Sequence, residues 1–139
     1  MLKKCALALT FLLPLSASAV DEIDVSCGMS VRSFFEPLIQ NRLINPKPAQ
    51  VEQTGSINHF RPKLLKRLTA YGMTVKSVFG YANEPLLFMN NGNGNQEVYG
   101  VIVSEGIANV QAQLNSVGNT DARTFRTDSN TTIIMCKGL

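Results

Sequence analysis

The sequence predicts an α+β fold: two β-α-β-β units forming a mainly antiparallel sheet with helices on one face, preceded by an N-terminal helix. Three observations predict it. Val31, Phe34, Phe35, Leu38 and Ile39 recur at the spacing of a helix face. Two later stretches each run from a helical pattern through a glycine into an extended run, a polar turn and an apolar strand. Those stretches superpose without gaps when Gly72 is set over Gly118.

The first nineteen residues read as a secretory leader. Met1-Leu2-Lys3-Lys4 is a positive head, Cys5 to Leu15 is an apolar run of eleven residues, and Ser16-Ala17-Ser18-Ala19 supplies the small residues of a cleavage site after Ala19. The run is shorter than the ~20 apolar residues a membrane span needs. Cys5 opens the apolar run rather than following it, which argues against lipid attachment. Expected boundaries are therefore a signal peptide over 1–19, a helical arm and connector over 20–56, and the tandem domain over 57–139. Expected localisation is periplasmic or secreted, with no transmembrane segment in the mature chain.

Removing Lys3 and Lys4 leaves 11 basic against 10 acidic side chains. No stripe of Lys and Arg alternates with aromatics, so nucleic acid is not an expected partner. Arg61, Lys63, Lys66 and Arg67 are a local exception, read as the solvated face of a helix. Cys27 and Cys136 survive cleavage, and a lone pair in an oxidising compartment is expected to form one disulfide.

Taken in order, Ile23–Cys27 reads as a short strand. A helix follows from Ser30, a candidate cap, with Pro37 kinking or delaying it. Asn45-Pro46-Lys47-Pro48 ends it. In the first unit, a strand over Ile57–Phe60 leads into a helix ending at Gly72, then an extended run centred on Phe79, a turn at Ala82–Pro85 and a strand carrying Leu87-Phe88. In the second, Val98–Val103 is a strand, a helix ends at Gly118, an extended run carries Phe125, and the Asp128–Asn130 turn leads to the last strand. Both glycines suit left-handed helix caps. Asn90–Asn95 reads as a tight or mobile hairpin connection between the units, and the sheet face away from the helices reads as wet or as a partner surface. It lacks the Lys-Ser/Thr of a phosphate-binding loop.

Little chemistry is visible. His59 is the sole histidine, so no Ser-His-Asp or Cys-His set can be built. Glu36, Glu105, Asp121 and Asp128 are not spaced as a catalytic pair. No catalytic, metal or cofactor site is expected.

The strand–helix–Gly–strand–strand order, ending in Arg126–Met135 with its polar Asp128-Ser129-Asn130 turn, resembles the small periplasmic ring-building modules of secretins. Over Ile57–Cys136 the layout resembles the secretin-associated proteins of type IVb pilus systems, the toxin-coregulated-pilus protein Q and bundle-forming-pilus protein G family. Tryptophan, which that family often carries around its first helix, is absent here. The resemblance implies a non-enzymatic role in localising or multimerising an outer-membrane secretin during pilus biogenesis. A secretin subunit would then add a strand at an open sheet edge, expected along Val98, Tyr99, Val101 and Val103 or along Ile133 and Ile134. The rival expectation is a periplasmic inhibitor or immunity protein acting on a lysozyme or a toxin.

Overall fold

A computed structural model describes residues 19–139. The expected leader, apart from Ala19, lies outside the described residues. The elements are β1 (Val20–Glu22), α1 (Val31–Gln40), β2 (Gln50–Val51), β3 (Asn58–Phe60), β4 (Arg67–Ala70), β5 (Met73–Tyr81), β6 (Val98–Val103), α2 (Ile107–Ser116), β7 (Arg123–Asp128) and β8 (Thr131–Lys137). The sheet runs β1-β4-β5-β6-β8-β7, with β3 also pairing β5 and β2 pairing β3. All pairings are antiparallel except β1 with β4.

α1 forms because its apolar stripe finds a core and both ends are closed. Ser30 Oγ accepts from the Ser33 N–H at 3.1 Å, an N-cap. At the far end Arg42 takes a positive φ of 54°, and the Leu43 N–H reaches the Leu38 carbonyl at 2.9 Å. That is a Schellman closure, so the helix ends before Asn45-Pro46. Pro37 neither delays nor shortens the helix. It lies on the exposed side, where the bond it forgoes would have been made over solvent. Val31, Phe34, Phe35 and Leu38 are buried in the same apolar cluster as the sheet residues. Ile23 to Ile44 thus contributes to the core, while residues 45–55 stay at the surface.

α2 ends as its sequence suggests: Gly118 has φ +74°, and the Asn119 N–H bonds the Leu114 carbonyl at 2.9 Å. The two helices cover one face. Partners in an antiparallel pair point to the same side, so Tyr99, Val101 and Val103 on β6 share a face with Cys136, Ile134 and Thr132 on β8. Phe34 stacks on Tyr99 at 4.7 Å between ring centroids. Phe35 lies over Gly80, where a Cβ would sit 2.6 Å from its ring. Thr132 Oγ1 donates to the Glu105 carbonyl just before α2 at 2.8 Å.

The first half departs from the expected repeat. No helix follows Phe60; that stretch is a turn and strand β4. Leu68 and Ala70 alternate inward on β4, while Leu64 and Leu65 point to solvent. Tyr71 and Gly72 take φ of 51° and 74°, the two left-handed residues of a tight hairpin turn into β5. Gly72 therefore shares its backbone sign with Gly118 but closes a hairpin, not a helix. No strand forms at Leu87-Phe88; Phe88 packs edge-on against Phe35. The expected strand over Ile23–Cys27 is also absent. β1 stops at Glu22, and the segment beyond it crosses the core with Ile23 and Val25 buried. The Asn90–Asn95 stretch belongs to a long connection between β5 and β6 rather than a tight hairpin. Asn58 Nδ2 donates to the Met89 carbonyl at 2.9 Å, and Asn90 Nδ2 donates to Tyr81 Oη at 2.8 Å, which hold it in place.

Candidate partner-binding face

The crossing segment is pinned at several points. Cys27 and Cys136 form the disulfide, tying it to the last strand. Tyr99 Oη donates to the Ser26 carbonyl at 2.7 Å and Tyr71 Oη to the Val25 carbonyl at 3.0 Å. Asn119, just past α2, donates through Nδ2 to Tyr71 Oη at 2.8 Å. Burial pushes both phenols above their ordinary range. For Tyr71 the Asn119 hydrogen bond works against that shift, and for Tyr99 the Met29 N–H does. These groups fix the covered face.

The strand edge expected at β6 or β8 is not available. β6 lies between β5 and β8, and β8 between β6 and β7, so Val98, Tyr99, Val101, Val103, Ile133 and Ile134 sit on interior strands. Their main-chain groups are committed to neighbours on both sides. Tyr99, Val101, Val103 and Ile134 also face the covered core. The outer edge of β7 has no strand partner among the described residues.

The uncovered face is built from the alternate residues. One row across the sheet reads His59, Phe79, Gly100, Met135 and Arg123. The next reads Ser77, Ile102, Ile133 and Phe125. Phe79 lies over Gly100, whose missing side chain makes room for the ring. Ile102, Ile133 and Met135 are half-buried, and Phe125 is 46% exposed. An apolar band thus runs from the sheet centre to the free β7 edge. Glu52, Arg61, Lys76 and Asp128 border a shallow trough on one side of it; Asp121, Arg123 and Lys137 border a second hollow.

His59 sits on β3 with Nε2 3.5 Å from Glu52 Oε2, beside the Phe79 ring. Among the described residues no group of three or more His, Cys, Asp or Glu is placed to hold a metal ion. No helix among them is long and apolar enough to cross a membrane. No protein-family model matches this chain, and no curated protein or solved structure matches it.

The sequence leaves the face away from the helices as wet or a partner surface but does not give its residues, because these depend on strand order. Its apolar members were in view, since Ile133-Ile134-Met135 is apolar on both faces of β8. A one-sided sheet alternates polar with apolar, and that departure was the available signal.

Proposed function

We propose that the protein is an exported, non-enzymatic interaction module that binds a second envelope protein through the open face of its sheet. The observation that carries this reading is the apolar band of Ile102, Ile133, Met135 and Phe125 on a face that neither helix covers. Its size sets what binding must involve. The band's three strands at about 4.8 Å spacing and about four residues at about 3.3 Å span roughly 14 by 13 Å, on the order of 200 Å². A standard interface takes about 800 Å² per partner. The partner must therefore also engage the charged rim, including Arg123, Lys137 and Lys76.

An outer-membrane secretin, met during type IV pilus biogenesis, is the proposed partner. Its support is the order β6-α2-β7-β8 with the polar turn before the last strand, the second half of the Ile57–Cys136 stretch that carries the resemblance; the first half lacks the helix the resemblance implies. Affinity capture from a periplasmic extract tests this, with wild type beside Ile133→Lys. The expected result is a secretin subunit recovered by the wild type and at least about tenfold less by the variant, since a charge would be buried unpaired. Recovery of a lysozyme or toxin instead would make the protein an inhibitor. Equal recovery by both proteins would remove the open face from the account.

A further inference from the structure

The stretch Arg61-Pro62-Lys63-Leu64-Leu65-Lys66-Arg67 joins β3 to β4; only its first residue, Arg61, reaches the trough beside the open face. The Lys66 N–H bonds the Lys63 carbonyl at 3.0 Å, closing a four-residue turn with Leu64 and Leu65 at its tip. Leu64 is 90% and Leu65 93% exposed. The turn stands on a fixed base: the Lys63 N–H bonds the Leu43 carbonyl at 2.9 Å, and Pro62 bridges to Ile44.

Two features set this tip apart from an ordinary loop. Leu65 has φ +68°, a conformation that suits glycine and that a side chain makes unfavourable. Folding gains nothing from leucine there, because its side chain touches almost nothing. The second feature is charge. Arg61, Lys63, Lys66 and Arg67 are all exposed and form no ion pair among the described residues. The chain has no carboxylate between Glu52 and Glu84. Across the fold, Asp21 and Glu22 on β1 pair beside Leu68 and Thr69 at the β4 end, and Glu52 lies in the trough that Arg61 borders, which leaves Lys63 and Lys66 as the cations that flank the tip.

Two leucines at a turn apex flanked by Lys63 and Lys66, with Arg61 and Arg67 beyond them in the chain, match an anionic bilayer surface. Apolar side chains enter the acyl boundary while the cations meet lipid phosphates at the headgroup level. We infer that the Lys63–Lys66 turn docks the protein on a membrane rich in anionic phospholipid. This inference is independent of the partner proposed above and would stand if the open face bound something else.

The chain has no tryptophan, so Leu64→Trp gives a single reporter in the folded, disulfide-bonded protein. Its emission should shift to the blue on adding phosphatidylglycerol vesicles at low salt, and not on adding phosphatidylcholine vesicles. Flotation with the same vesicles should show binding falling by about fivefold per cation removed, roughly 25-fold for Lys63→Gln with Lys66→Gln. Leu65→Gly should weaken vesicle binding by about tenfold or more, the loss expected of one leucine side chain withdrawn from apolar surroundings, while leaving the melting temperature unchanged or higher. A binding defect caused by misfolding would lower the melting temperature instead and would overturn the assignment. So would equal binding to neutral vesicles, or a blue shift with soluble polyglutamate and none with vesicles, which would assign the tip to an acidic protein surface.

Discussion

Tyr71 and Tyr99 do for the crossing segment what strand pairing does for the sheet. Their hydroxyls take the Val25 and Ser26 carbonyls, which have no ladder partner. Both phenols are held above their ordinary pKa of about 10, chiefly by burial. A folded-state pKa raised above the unfolded one means the folded chain holds these protons longer. The associated stability is fully present below about pH 10 and is lost as pH climbs through the folded values. Urea titrations at stepped pH should therefore give no tyrosine-linked change between neutrality and about pH 10 and a decline above it. Tyr71→Phe should lower stability overall and make the alkaline decline shallower. An unaltered alkaline slope in that variant would show that Tyr71 does not titrate with unfolding. No local pattern announced these bonds, because Tyr99 and Ser26 are 73 residues apart.

Among the elements, those with sharp local signals were legible. α1 declares itself through its stripe and its serine cap, and α2 through the glycine that stops it. The polar turn between β7 and β8 is marked by Asp128, whose carboxylate accepts from the Asn130 N–H at 2.8 Å. The stretch after Phe60 was misread because Leu64 and Leu68 stand at helical spacing. Alternation over β4 spans only four residues, too few to outweigh it. The Tyr71-Gly72 hairpin also leaves a glycine where a helix cap would put one. Sheet packing yields its own prediction at Gly100. An added Cβ there would run into the Ile134 carbonyl and come within 2.7 Å of the Phe79 ring. Gly100→Ala should cost about 1–3 kcal/mol in a thermal melt, in the range of overpacked sites. A melt identical to wild type would show that the Ile134 backbone and the Phe79 ring both give way at no cost.

At the level of the whole molecule, the disulfide joins residues 109 apart and makes the crossing segment and the last strand one body. In the chain-entropy account a closure of that length contributes about 4–5 kcal/mol. Cys27→Ser combined with Cys136→Ala should therefore lower the melting temperature well beyond the effect of a surface change. An unchanged melt would make the bridge immaterial to the fold. The pairing followed from cysteine count and the expected compartment, whereas the residues of the binding face did not, since which strands are interior is decided by pairings between distant segments. The proposed role depends on that face meeting a partner in the envelope. A photo-crosslinking phenylalanine analogue at Phe125, activated in living cells, tests this most directly, with the same analogue at exposed Glu36 on the opposite, helix-covered side as control. A discrete adduct containing a secretin subunit from position 125, and none from position 36, is the predicted result. An adduct from position 36 with none from position 125 would contradict it.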